Sequence, residues 1–295
     1  MHFRISVFLA VADNLSFTKA ASALFISQPA VTKHIKELEN QLGITLFERR
    51  GNRITLTAAG EKVYQYARNS VMLYSELEHE LSQLKDRYEG SLRIGASSTI
   101  SQYVVPEVLA SFHTQYPDIK LTLLNGNSFE MEQLLIEGKI DMALVENFSS
   151  RSDLRYVRFL EDEIVAVAGA DSKIARKKSL DLNDLPSVPL VIREQGSGTL
   201  EVIDEYLKKA GIQLNMLQII LHLGSTEAIK NFLIAFEGMG LVSVRALKKE
   251  LQLNSLTIIP FRNPKIIRHF RIVLPKGYDP GFAGLFIQFL HQYNL

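Results

Sequence analysis

Gln28, Thr32, Lys33 and Lys36 recur on one face of a segment whose other face is apolar, at Val31, Ile35, Leu38 and Leu42. Amide, hydroxyl and ammonium groups at helical spacing can hydrogen-bond base edges and neutralise phosphates, which is the chemistry a DNA major groove asks for. Ser27 is placed to cap this helix, and Pro29 falls in its first turn, where a missing N–H costs nothing. Lysines on a solvated face of a three-helix core would look the same, so this helix alone leaves both readings open. Its neighbours shift the balance. Ser16-Phe17-Thr18-Lys19-Ala20-Ala21 begins a short helix before it, and Phe47-Glu48-Arg49-Arg50-Gly51-Asn52-Arg53 follows as a basic turn. The three pieces predict a winged helix-turn-helix. Ser27, Gln28, Pro29, Thr32 and Lys33 would then face bases or nearby backbone, and Lys36, Arg49, Arg50 and Arg53 would hold phosphates.

A second set of candidates lies in loops between β-prone runs and helical patterns. Ser97-Ser98-Thr99, Asn125-Gly126-Asn127-Ser128, Gln195-Gly196-Ser197-Gly198-Thr199 and Gly224-Ser225-Thr226 each follow a strand-like run and precede a helix. In open parallel sheets, ligands bind beyond the carboxyl ends of strands, where hydroxyls and free N–H groups can hold a carboxylate, phosphate or sulfate. Plain capping by Ser98 or Thr99, and a plain turn at Gly196–Thr199, are the competing readings. Glu146 either meets an ammonium or hydroxyl of a ligand or is a solvated loop carboxylate; Arg193 is a candidate carboxylate clamp.

The elements that must carry these residues are legible from periodicity. Helical patterns run from Phe3 to Ala12, Phe17 to Leu24 and Gln28 to Leu42. Ile44–Phe47 and Ile54–Leu56 are β-prone and flank the Arg-Arg-Gly-Asn turn, as a two-stranded wing requires. Thr57 can cap a long helix from about Ala58 to Tyr88. Its stripe of Tyr64, Ala67, Val71, Tyr74, Leu77, Leu81, Leu84 and Tyr88 resembles a coiled-coil seam with one slip, and predicts dimerisation over packing on the chain's own body.

From Ser91 onward strands and helices alternate, which predicts βαβ units and an α/β fold. Strands are expected at Leu92–Gly95, Ile119–Leu124, Asp141–Val145, Ile164–Ala168, Leu190–Arg193, Leu217–Leu221, Gly240–Val244 and Arg271–Leu274. Helices are expected at Tyr103–Tyr116, Phe129–Glu137, Leu200–Lys209, Thr226–Phe236 and Phe282–Tyr293.

The 295 residues suffice for two or more domains. A net charge of +1 hides an uneven distribution, because residues 1–60 carry seven Lys and Arg against four Asp and Glu. No apolar run approaches the ~20 residues of a membrane span. No signal-peptide pattern opens the chain, so the expected address is the cytoplasm. With no cysteine, disulfides, thiolate metal sites and Cys nucleophiles are excluded, and neither a metal site nor a cofactor is expected.

Read in order, Ser16–Ala21, Ser27-Gln28-Pro29-Ala30-Val31-Thr32, Leu38-Glu39, Leu46-Phe47-Glu48-Arg49 and Leu56-Thr57-Ala58-Ala59-Gly60 resemble the LysR-type transcriptional regulators of bacteria, and the match spans the chain. The loops at Gly126–Ser128, Gln195–Thr199 and Gly224–Lys230 look similar to the branch holding regulators of sulfur assimilation and carbon fixation. That resemblance implies a winged helix-turn-helix at 1–57, a dimerising linker helix at 58–89 and a periplasmic-binding-protein-like effector domain at 90–295. Lobe I would be about 91–161 and 273–295, lobe II about 168–266, with crossovers near Asp162–Val167 and His269–Val273. It also implies promoter DNA, a small anionic effector, a second copy in a dimer or tetramer, and RNA polymerase as partners. Effector contacts would come from Ser97, Ser98, Thr99, Asn127, Ser128, Glu146, Gly196, Ser197, Gly198, Thr199, Ser225 and Thr226.

Enzyme motifs are missing. Gly95-Ala96-Ser97-Ser98-Thr99 lacks the closing glycine of a nucleophile elbow, and Gly196-x-Gly198 and Gly238-x-Gly240 lack the third glycine of a dinucleotide loop. His79-Glu80 has no partner histidine. The remaining alternative is an α/β small-molecule-binding or transferase protein whose N-terminal helices only dimerise.

Overall fold

The computed structural model describes residues 2–50, 53–84, 88–262, 265–277 and 281–293, and the chain divides into two compact units, 1–77 and 78–295.

In the first unit, α1 (His2–Asn14), α2 (Phe17–Leu24) and α3 (Gln28–Leu42) precede β1 (Phe47–Arg50) and β2 (Arg53–Leu56), and α4 (Ala58–Leu84) follows. Ser16 caps α2 by accepting from Lys19 N, and Ser27 caps α3 by accepting from Ala30 N, so both boundaries fall where the side chains place them. Val7, Phe8, Val11, Ala20, Val31, Ile35, Leu38 and Leu46 close the core, and Ala67 of α4 joins it. β1 starts three residues later than the β-prone run at Ile44–Phe47 suggests. The backbone of Ile44 is consumed in ending α3, donating to the Glu39 carbonyl, and the Glu39 carboxylate then takes Leu46 N at 2.7 Å. β1 and β2 pair antiparallel, Phe47 opposite Leu56 and Arg50 opposite Arg53, as a wing should. Gly51 and Asn52 of the expected basic turn lie outside the described residues. Thr57 does cap α4, through Gly60 N, while its own hydroxyl donates to Thr45 O. A Cβ on Gly60 would stand 2.1 Å from Leu46 O, so only glycine lets α4 lie against the wing's entrance.

The second unit holds β3 (Gly90–Ser97), α5 (Ser98–Tyr103), α6 (Val105–Gln115), β4 (Ile119–Gly126), α7 (Ser128–Ile136), β5 (Met142–Val145) and β6 (Leu154–Gly169). It continues through β7 (Pro189–Arg193), α8 (Gly198–Lys209), β8 (Gln218–Leu223), α9 (Thr226–Ile234), β9 (Met239–Ser243), α10 (Lys248–Gln252), β10 (Leu256–Ile259), β11 (Ile266–Pro275) and α11 (Gly281–Gln292). The sheet runs β4-β3-β5-β11-β6-β9-β7-β8, with β10 added beside β6. β3 is parallel to β4 and β5, and β7 to β8 and β9, as the βαβ reading requires. β6 and β11 are antiparallel to each other and to their outer neighbours, and they join the two parallel halves.

Each half has its own core. Leu92, Ile94, Ile100, Phe112, Phe270, Phe282 and Phe286 fill the first lobe; Ile164, Leu190, Ile203, Leu207, Leu241 and Ile266 fill the second. β6 pairs with β11 from Leu154 to Ile164, then leaves it for β9 and β10. The chain therefore passes between lobes inside two long strands, and the segments expected as crossovers, Asp162–Val167 and His269–Val273, both lie within them.

The structure departs from the sequence reading in four places. β6 extends ten residues before Ile164 through Leu-Arg-Tyr-Val-Arg-Phe-Leu-Glu-Asp-Glu, whose mixed burial hides the strand period. The expected helix Tyr103–Tyr116 is observed as α6, which starts at Val105 with Pro106 in its first turn, where a missing N–H costs nothing, and the short α5 that ends at Tyr103 precedes it. β10 was not anticipated, and β11 begins at Ile266 rather than Arg271.

Candidate DNA-reading face and inter-lobe site

Along α3 the buried stripe is Val31, Ile35 and Leu38, which leaves Ser27, Gln28, Pro29, Lys33 and Lys36 exposed and Thr32 half-buried. Leu42, expected on the stripe, is 41 % exposed. Gln28 Nε2 donates to Thr32 Oγ1 at 3.0 Å, and Thr32 Oγ1 donates to Gln28 O at 3.1 Å. Gln28 is exposed, and a side-chain amide can offer the bidentate donor–acceptor edge that matches adenine. Lys33 has Glu37 as an ionic neighbour at 4.0 Å, while Arg4 holds Glu37 at 3.0 Å. Arg49, Arg50 and Arg53 have described backbones, in the wing strands, and their side chains lie outside the described residues.

The four Ser/Thr loops of the second unit separate into two kinds. Asn127 caps α7 in a reciprocal box with Glu130, and Ser225 caps α9 through Ala228 N. Those polar groups are engaged by their own helices. At α5 and α8 the N-cap residues are Ser97 and Ser197, and neither hydroxyl makes a capping bond. The capping role expected of Ser98 or Thr99 is therefore corrected: Ser98 sits inside α5 with its hydroxyl unpartnered, and Thr99 turns to Glu146.

Glu146 is the centre of what these loops bring together. Its residue is 1 % exposed, which overturns the reading as a solvated loop carboxylate. Glu146 Oε1 accepts from Thr199 Oγ1 of the second lobe at 2.7 Å and from Thr99 Oγ1 of the first at 3.4 Å. Arg268 Nη1 lies 3.3 Å from Glu146 Oε2 and donates to Thr199 Oγ1 at 2.9 Å. Ser128 Oγ accepts from Glu146 N at 3.4 Å. Gly196 O accepts from Phe129 N at 3.4 Å, and a Cβ on Gly198 would meet Ser128 Oγ, Asn147 N and Glu146 Cγ within 2.7 Å. Glycine at 198 is what lets the two lobes touch here. Ser225 and Thr226 stand apart; Arg193 Nη2 reaches their loop at Gly224 O, 3.4 Å away.

Two arginines set the electrostatics. Arg268 on β11 faces Asp162 across the ladder and donates to it through Nε at 2.7 Å, and Ser243 Oγ donates to the other Asp162 oxygen at 2.7 Å. Arg193 is gripped by Glu194 at 2.8 and 2.9 Å. Burial alone would raise the Glu146 carboxyl, but the Arg268 and Arg193 guanidiniums, with the Thr199 and Thr99 hydroxyls, hold it below the ordinary carboxylate range. Among the described residues, five buried donors in this region have no acceptor: the hydroxyls of Ser97, Ser98 and Ser197, Arg193 Nη1 and Arg268 Nη2. Leaving a buried polar atom unsatisfied costs about 1–3 kcal/mol, and Glu146 Oε2 in the same cluster also takes no hydrogen bond from the described residues.

Arg268 and Asp162 were missed from the sequence. Their signal was present, because Ile266, Arg268, Phe270 and Ile272 alternate as one face of a strand, and a charged member of an apolar face needs a buried partner. Two further ties link the lobes. Tyr103 donates to Glu227 at 2.6 Å beside the buried Lys230, and Glu201 of α8 accepts from Phe148 N at 3.0 Å and Ser149 N at 2.6 Å. Among the described residues, no group of three or more His, Cys, Asp or Glu side chains is placed to hold a metal, and no helix is long and apolar enough to cross a membrane.

Comparison with known proteins places both halves. Residues 3–61 match the family described as bacterial regulatory helix-turn-helix protein, lysR family, and residues 85–294 match the LysR substrate binding domain. A probable RuBisCO transcriptional regulator of Thalassiosira pseudonana is 34 % identical over 92 % of this chain and 90 % of its own length. The transcriptional regulator CysL of Bacillus subtilis is 32 % identical over 88 % of this chain and 86 % of its own. The crystal structure of full-length CbnR complexed with its target DNA shares the fold at 20 % identity, with a TM-score of 0.67 over 99 % of this chain and 99 % of that one. These relatives are transcriptional regulators, so the transferase alternative is set aside.

Proposed function

The chain belongs to the LysR family of DNA-binding transcriptional regulators with an effector-binding domain, and on that premise we propose a working division of the molecule. Residues 1–57 read promoter DNA, 58–89 pair with a second copy, and 90–295 bind a small anionic metabolite between lobes I and II. Gln28, Pro29, Thr32 and Lys33, with Ser27 at the helix start, face bases or nearby backbone; Lys36, Arg49, Arg50 and Arg53 hold phosphates. The anion meets Ser97, Ser98, Thr99, Ser197 and Thr199, with Gly196 and Gly198 giving the backbone access and Glu146 at the centre. Asn127, Ser128, Ser225 and Thr226 shape the surrounding loops. The observation that carries the anionic ligand is the set of buried donors lacking acceptors at Ser97, Ser98, Ser197, Arg193 and Arg268. By differential affinity for two lobe arrangements the metabolite biases the spacing of paired heads, which contact half-sites about one helical turn apart or a multiple of it. Assembly to a tetramer, contact with RNA polymerase and a cytoplasmic setting complete this reading.

The test has two arms. Thr32→Ala should relax sequence preference, while Arg50→Ala should weaken specific and random DNA alike and flatten the salt slope by about one unit. Unchanged affinity and slope in Arg50→Ala would remove the wing from the interface. A thermal-shift screen of small anions should find stabilisation in the parent chain that Ser98→Ala diminishes; full retention in that variant would take the loop out of the site.

A further inference from the structure

The two threonines best placed to bridge the lobes are already spent. A hydroxyl has one proton to give. Thr99 gives its proton, and Thr199 gives its own, to the same oxygen of Glu146. Arg268 Nη1 is shared between that carboxylate and Thr199 Oγ1. Glu146 itself belongs to the first lobe, just past β5, and the Gly198 backbone of the second lobe lies directly on its stem. A buried carboxylate held by a threonine from each lobe and an arginine from the joining strand is the arrangement expected of a bound anion.

We propose that Glu146 is a built-in anion, tying the lobes together in the effector-free protein, and that the effector binds by displacing it from Thr99, Thr199 and Arg268. The proposal rests on the effector reading above and adds the regulation of that site. Two negative charges within about 4 Å in a buried cleft exclude each other, so an anion cannot simply join Glu146 there. To win against an intramolecular carboxylate the ligand must offer more acceptor oxygens or more charge than a carboxylate does. Ser97, Ser98 and Ser197, whose hydroxyls have no acceptor among the described residues, and Arg193 Nη1 and Arg268 Nη2, in the same condition, would supply the additional bonds. That selects tetrahedral oxyanions and their esters over simple monocarboxylates. Displacement also removes the stem on which Gly198 rests, so the exchange of anions alters the spacing of the lobes.

Chemical rescue tests this on the full chain. Glu146→Ala should lower the melting temperature, and formate should restore it saturably while leaving the parent protein unmoved. Glu146→Gln, which keeps the shape without the charge, should bind inorganic sulfate or phosphate at least about tenfold more tightly than the parent. The proposal is overturned if formate acts on Glu146→Ala no more than on the parent. It is equally overturned if Glu146→Gln binds both oxyanions no better than the parent, including no binding by either protein. Adding Ser98→Ala and Ser197→Ala to Glu146→Gln separates the two readings. If oxyanion binding survives undiminished, the effector-site assignment fails, while rescue by formate still reports on Glu146.

Discussion

Arg268 carries two carboxylates at once, Asp162 at 2.7 Å and Glu146 at 3.3 Å, with its side chain removed from solvent. Such pairs add little net stability against an apolar core of equal volume, but removing one member strands the other charge. Arg268→Met should therefore cost about 3–5 kcal/mol in urea unfolding at neutral pH. The pH dependence gives a sharper check. In the parent chain the Glu146 carboxyl is depressed in the folded state, so its contribution is present above the ordinary carboxylate range and is lost as pH falls through its lowered value. In Arg268→Met the largest charge holding it down is gone and burial pushes it upward. The variant should then regain stability relative to the parent as pH drops. A constant difference between the two across acid titration would show that Glu146 does not depend on Arg268.

At the scale of elements, the helix boundaries were written in side chains that act locally. Ser16, Ser27, Asn127 and Ser225 each close a first turn, and α2 and α3 begin and end where those residues and the apolar step require. The joining strands were not so written. β6 and β11 are selected by pairing with each other across about 110 residues of sequence, and the mixed burial of Leu154–Glu163 gives no clean alternation to read. The site inherits the same division. The serine and threonine loops were visible as turns at strand ends, whereas which of them cap and which stay open, and where Arg268 lies, depend on partners far along the chain. A glycine inside α4 was visible only as part of a motif, and its reason is the approach of Leu46 O to 2.1 Å from an added Cβ. Gly60→Ala should force α4 off the wing's entrance and destabilise the N-terminal unit by about 1–3 kcal/mol. Thermal unfolding with and without operator DNA measures it, and an unchanged melting temperature would mean the contact yields freely.

For the whole molecule, the stripe read along α4 divides its labour. Ala67 is buried and Tyr64 and Val71 pack onto the core of the N-terminal unit, so this part satisfies the chain's own body. Tyr64 also donates to Asp13 at 2.7 Å, and Arg68 pairs with the same carboxylate, fixing that stretch of helix to α1. Further along, Tyr74, Leu77 and Leu81 are each more than 40 % exposed, at steps of three and four. Leu77 and Leu81, four residues apart on a helix of 27 residues, have the spacing of a coiled-coil seam, and a second copy is expected to cover them. Replacing Leu77 and Leu81 together by glutamate should shift the sedimenting species toward monomer while leaving the fold of each unit intact by circular dichroism. A monomer offers one head to one half-site, so binding to a two-half-site operator should weaken far more than binding to a single half-site. If the doubly substituted chain remained an oligomer with undiminished operator affinity, the contacts joining the copies would have to lie elsewhere than on this edge.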